Sequence, residues 1–229
     1  MPAPSDDKPK VLILGGTAEA YALAERLVAA GEVTVITSLA GRTAEPVLPP
    51  GVVRIGGFGG AEGLAAYIRA NGISRVIDAT HPFARRISEN AVRATAETGV
   101  PLEQHVREGW LPVRGDRWNE VGSLEEAARA LPAGAIVFLA LGRQYLEAFA
   151  ARRDCRFVIR MVDPPAQPLP FADPVVILGK PSADPEHEAA LFAAHGITHL
   201  VCRNSGGAAG YGKIAAAREM GLPVILIGR

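Results

Sequence analysis

The stretch from Val11 to Val28 constrains the fold more than any other part of the chain. Val11-Leu12-Ile13-Leu14 is short and wholly apolar, as suits a parallel strand covered on both faces. Gly15-Gly16-Thr17 follows at once, and Ala20, Leu23, Ala24, Leu27 and Val28 then form one apolar stripe at helical spacing. The three pieces make a strand, a tight turn and a helix. A helix opening at a strand's carboxyl end presents free N–H groups and the positive end of its dipole, so this turn suits the phosphates of a dinucleotide. The G-x-G-x-x-G spacing is not met. Counting from Gly15, the second glycine position is Thr17 and the third is Ala20. Alanine is accepted at the third, and Thr17 offers a hydroxyl to phosphate at the second. Gly15, Gly16, Thr17, Ala18 and Glu19 are therefore candidate cofactor residues.

The rest of the chain alternates short β-rich runs with Ala-rich helical stretches. Strands are predicted at Val11–Leu14, Val33–Thr37, Val52–Ile55, Arg75–Asp78, Leu102–His105, Ile136–Ala140, Arg156–Met161, Val175–Leu178, His199–Cys202 and Val224–Ile227. Such alternation points to an α/β fold with mostly parallel sheets and helices on both faces. A helix-stopping glycine recurs just before a strand, at Gly31, Gly72, Gly99, Gly196 and Gly221. Asn71-Gly-Ile-Ser-Arg-Val-Ile77 also resembles His195-Gly-Ile-Thr-His-Leu-Val201. Each run leads into a special turn, a helix and a Pro-containing strand. The duplication implies two Rossmann-like domains, joined near Leu111–Asp116. The expected division is a flexible tail over residues 1–9, a dinucleotide-binding domain over 10–112 and a second domain over 113–229.

Composition narrows the function. Of the 229 residues, 48% are hydrophobic and 21% charged, the proportions of a folded soluble protein. Basic and acidic side chains balance at 24 each, which argues against a nucleic-acid partner. Cys155 and Cys202 form no metal-binding pair, so reduced thiols and a cytoplasmic setting are expected, with no protein metal site. No apolar run has the length of a membrane span, and the start lacks a signal-peptide core.

Three further motifs carry chemistry. The second strand ends in Thr37-Ser38-Leu39-Ala40-Gly41-Arg42, with hydroxyls and an arginine where an NAD site would carry an acid. Ser38 and Arg42 would accept a 2′-phosphate, so the expected cofactor is NADPH. Asp78-Ala79-Thr80-His81-Pro82-Phe83-Ala84 ends a later strand, where open α/β sheets bind ligands. There His81 could donate a proton or orient the cofactor. Arg203-Asn204-Ser205-Gly206-Gly207 through Lys213 is a second glycine-rich turn, suited to an anion or a substrate.

ILGGTAEAYALA, DATHPFA, LALGRQYL and RNSGGAAGYGKIAAAREMGLPVILI together resemble the precorrin-6A reductases of cobalamin biosynthesis, in the family's order from Val11 to Ile227. The resemblance implies two Rossmann-like domains with the active site in the cleft between them. It implies reduction of one double bond of precorrin-6A to give precorrin-6B, with NADPH as hydride donor. The family's cofactor turn maps onto Gly15, Gly16 and Thr17. Its nicotinamide-side motif maps onto Thr80, His81, Pro82 and Phe83. The tetrapyrrole is a polycarboxylate, so Arg85, Arg143, Lys180, Arg203 and Lys213 are expected to hold its rim, with Asn204, Ser205, Gly206 and Gly207 beside it. The family often has Lys-x-Ser-Gly where Arg203-Asn204-Ser205-Gly206 stands, and Gly-Pro-Phe where Gly179-Lys180-Pro181 stands.

His81 is the side-chain candidate for the proton donor. A carbonyl-reducing short-chain dehydrogenase would need a lysine four residues after a tyrosine, and Tyr21, Tyr67, Tyr145 and Tyr211 all lack one. A noncatalytic NADP-binding module would use the first turn without needing a second motif-bearing half. The sequence leaves open a cobalt-loaded substrate, and transfer of the tetrapyrrole to or from neighbouring pathway enzymes.

Overall fold

The computed structural model describes residues 8–41, 47–105 and 107–228. Arg42 and most of the expected tail fall outside them. The chain forms two compact units, Met1–Val106 and Arg107–Arg229.

The first unit holds β1 (Lys10–Leu14), α1 (Ala18–Ala30), β2 (Thr34–Leu39), β3 (Val52–Ile55), α2 (Ala61–Asn71), β4 (Ile73–Asp78), α3 (Arg85–Thr98) and β5 (Leu102–Gln104). Its five strands are all parallel, in the order β3-β2-β1-β4-β5. β1 is apolar throughout its centre because both faces are covered: Leu12 and Leu14 pack with α2 and α3, while Val11 and Ile13 pack with α1. Each fully buried Leu or Ile contributes about 1.5–3 kcal/mol. Of the expected α1 stripe, Ala20, Leu23 and Ala24 are buried, but Val28 stays 38% exposed. The drift is that of a 3.6-residue repeat, which carries the last turn away from the sheet.

The second unit holds β6 (Trp118–Val121), α4 (Leu124–Ala130), β7 (Ile136–Ala140), a 3-10 helix (Arg143–Phe149), β8 (Arg156–Met161) and β9 (Val175–Leu178). It continues with α5 (Pro185–Ala194), β10 (His199–Arg203), α6 (Gly212–Glu219) and β11 (Val224–Ile227). Its parallel order is β6-β11-β10-β7-β8-β9. Without β6, that is the first unit's topology again, with β7 in the place of β1 and β10 in the place of β4. The repeated runs at Asn71 and His195 lead into these equivalent strands.

β6 is the strand absent from the sequence reading. Its residues Trp-Asn-Glu-Val are half-exposed on a sheet edge and paired only with β11, so they carry no long apolar run. The segment after Arg107 goes with the second unit, because Trp110 packs into that unit's core beside Ile214 and Tyr211. The five helix-stopping glycines hold φ between 62° and 71°, the left-handed closure expected of them.

Candidate functional site

In an open parallel sheet, ligands bind beyond the carboxyl ends of the strands where the strand order reverses. In the first unit that point lies between β1 and β4. The β1 turn (Gly15–Thr17) and the β4 turn (Ala79–Ala84) meet there. Gly16 has φ 107° with nothing within 4 Å of a Cβ position, so the turn is open and needs glycine. Gly15 donates its N–H to the Ser38 carbonyl at 3.0 Å, tying the turn to the end of β2. Ala18 and Glu19 begin α1 and are exposed.

Thr17 differs from the expectation. Its hydroxyl donates to the Ala79 carbonyl at 2.8 Å and accepts from Ala20 N–H at 3.2 Å. The one hydroxyl proton is thus committed to the β4 turn, and Thr17 caps α1 instead of turning a donor toward phosphate. It staples the two turns of the switch point together.

The β4 turn is ordered by Asp78, which is buried. Its carboxylate accepts from Thr80 N–H at 3.1 Å and from the Thr80 hydroxyl at 2.7 Å. Phe83 N–H donates to His81 Nδ1 at 3.3 Å. A neutral His81 accepting there carries its proton on Nε2. His81 is exposed, Pro82 and Phe83 are half-exposed, and the His81 and Phe83 ring centres are 5.8 Å apart. Arg85 opens α3 and is exposed.

Ser38 is only 6% exposed, and its hydroxyl accepts from Arg54 Nη1 at 3.2 Å. Sequence reasoning did not single out Arg54. The signal was present in Gly56-Gly-Phe-Gly-Gly60, a third glycine-rich turn between a strand and a helix, which starts two residues after Arg54.

In the second unit the order reverses between β7 and β10. Arg143 follows β7 and is exposed; Arg203 ends β10, its guanidinium carbon 3.6 Å from the Tyr145 ring centre. Arg143 also lines a pocket with Gln144, Leu146, Glu147 and Pro168–Pro170. Lys180 is exposed in the turn after β9.

The glycine-rich turn after β10 is braced from within. Asn204 accepts Trp110 N–H at 2.6 Å and donates to the Trp110 carbonyl at 3.0 Å. Trp110 Nε1 donates to the Gly207 carbonyl at 2.9 Å. A Cβ at Gly206 would lie 1.8 Å from the Glu108 carbonyl oxygen, so glycine is required for close approach of that segment. Lys213 is buried, donating to the Gly210 carbonyl at 2.5 Å and lying 4.9 Å from the Trp110 ring centre. Burial pushes its ammonium below the usual lysine range. Asn204 and Lys213, expected at the substrate, therefore spend these polar atoms on the turn itself. Ser205 lies half-buried between them in sequence.

Two parallel sheets of one topology, each with a glycine-rich turn at its switch point, define a duplicated Rossmann-like α/β protein. Residues 10–229 match the family model described as precorrin-6x reductase CbiJ/CobK, and the chain belongs to that oxidoreductase family. A precorrin-6A reductase of Rhodobacter capsulatus is 47% identical, covering 96% of this chain and 88% of its own. A cobalt-precorrin-6A reductase of Priestia megaterium is 31% identical, covering 96% and 90%. A solved structure titled CobK precorrin-6A reductase superposes with a TM-score of 0.93 at 46% identity, covering 96% of this chain and 88% of that one.

Proposed function

We propose that this chain reduces one double bond of metal-free precorrin-6A to give precorrin-6B in cobalamin biosynthesis, with NADPH as the cofactor. The observation that carries the reading is the open Gly15–Gly16 turn at the β1/β4 switch point, in a chain 47% identical over 96% of its length to a precorrin-6A reductase. The metal-free substrate is favoured over the cobalt-loaded one because the relative named for cobalt-precorrin-6A is more distant, at 31%.

The residues present fit a dinucleotide. Glycine at Gly15 lets α1 lie close on the sheet, since a Cβ there would be 3.1 Å from Thr37 and 3.2 Å from Ala20. Gly16, Ala18 and the first turn of α1 would bind the pyrophosphate through backbone N–H groups. NADPH supplies a hydride. The chain's own part is to bind, to orient and to provide a proton. Saturating a carbon–carbon double bond takes one hydride and one proton, and His81 is the side chain we assign to pass that proton from solvent to the substrate, taking one up as it gives one. Phe83 N–H, bonded to Nδ1, orients the ring. Thr80 and Pro82 hold the turn. In the second unit, Arg143, Lys180 and Arg203 would pair with carboxylates of the tetrapyrrole rim. Ser205, Gly206 and Gly207 would shape the wall beside them.

Anaerobic turnover of metal-free and cobalt-loaded precorrin-6A, each with NADPH and NADH, tests this. The expected result is fastest NADPH oxidation with the metal-free substrate. His81→Ala should lower kcat by roughly 100-fold. No oxidation with either substrate would end the assignment.

A further inference from the structure

Resting on the NADPH reading, we propose that Arg54 selects the 2′-phosphorylated cofactor. In parallel register, Ser38 of β2 lies directly opposite Arg54 of β3. Ser38 is at the strand end where NAD sites place an acid to bind ribose hydroxyls. Here that corner carries a guanidinium instead. It adjoins the phosphate turn, since Gly15 N–H is bonded to the Ser38 carbonyl.

The guanidinium is held before any ligand arrives. Nη1 donates to the Ser38 hydroxyl at 3.2 Å and to the Gly56 carbonyl; Nη2 donates to the Gly57 carbonyl at 2.6 Å. Its central carbon lies 3.8 Å from the Phe58 ring centre and 5.3 Å from that of Tyr67. Stacking and the glycine carbonyls fix a side chain that would otherwise lose rotamer freedom on binding. All three oxygen acceptors are neutral, so none cancels its charge. Among the described residues these bonds use three of the five guanidinium N–H groups. The fork thus keeps charge and donors for a phosphate monoester, which would bond to it with charge assistance. An unphosphorylated ribose would find no carboxylate bonded to the guanidinium there among the described residues. Ser38, nearly buried beneath the guanidinium, is its positioning residue.

The test measures calorimetric binding of adenosine 2′,5′-bisphosphate and of 5′-AMP to the full chain, without turnover. Wild type should prefer the bisphosphate by roughly 10- to 100-fold. Arg54→Gln should bring that ratio close to one while changing 5′-AMP affinity little. Arg54→Lys should keep part of the preference, and it serves if the glutamine variant melts early. Ser38→Ala should lower the ratio less than Arg54→Gln does. A folded Arg54→Gln protein with the wild-type ratio would overturn the proposal and make Arg54 only a brace for the Gly56–Gly57 turn. A wild type without any preference would overturn the NADPH reading itself, a separate outcome.

Discussion

The two switch points share a topology and differ in what their glycines do. At β1/β4, Gly16 has open space around it and its positive φ turns a strand directly into a helix. At β7/β10, Gly206 is filled against: the Glu108 carbonyl occupies the place of a side chain. The first turn is held at its two ends, by Gly15 N–H on the Ser38 carbonyl and by the Thr17 hydroxyl on Ala79. The second is held by Asn204, Trp110 and Lys213 together. A glycine-rich turn can therefore be an open backbone cradle or a packing surface for another segment. The sequence motif alone does not say which, because both uses remove the Cβ.

Trp110→Ala should have the largest effect and strikes the braced turn. It removes a nearly buried ring, the bond to Gly207 and the contact with Lys213, at a cost of about 3–5 kcal/mol. Denaturant unfolding measures this. Adenosine 2′,5′-bisphosphate affinity of the folded variant should stay near wild type. Parallel losses of stability and nucleotide binding would break the contrast between the two turns.

Thr17→Val should come next, at about 2–3 kcal/mol, from a lost helix cap and an unpaired buried Ala79 carbonyl. It should weaken nucleotide binding as well, because the two turns of the first switch point come apart. Thr17→Ser should restore both properties. An unchanged nucleotide affinity in a folded Thr17→Val protein would show that the cradle forms without the staple.

The smallest effect is a pH dependence confined to the second unit. Burial pushes the Cys202 thiol up to about 11 from its ordinary 9.0. Between those values the folded thiol keeps its proton while the unfolded thiol loses it, so stability falls as pH rises through that window. Lys213 acts oppositely. Its folded value lies below 10.5, so the unfolded chain binds the extra proton and stability rises as pH approaches 10.5. Cys202→Ala removes the first contribution and, with it, the thiolate charge that raises Lys213. Relative to wild type, the variant should gain on the order of 1–2 kcal/mol between about pH 9 and 11. Unfolding curves at both ends of that range check the sign.

Much of the fold was legible because it depends on local pattern. The apolar run at Val11, the glycine stops and the repeated Asn71 and His195 runs depend on burial and left-handed closure, which nearby residues specify. β6 was not legible, since an edge strand needs only one partner and little burial. Within the candidate site, the position of Gly15, Gly16 and His81 in turns after strands was legible. Asn204 and Lys213 were read as facing a substrate because polarity in a loop looks the same whether it meets a ligand or the chain.

The sequence by itself determined the βα units, their helix ends and their duplication, since each depends on residues close along the chain. The tertiary structure decided what each polar side chain meets. Thr17 reaches Ala79, 62 residues away, and Asn204 reaches Trp110, 94 residues away. Arg54 faces Ser38 only because β2 and β3 pair in that register. Contacts across such distances follow from how strands align and turns converge, and no local pattern of residues encodes them.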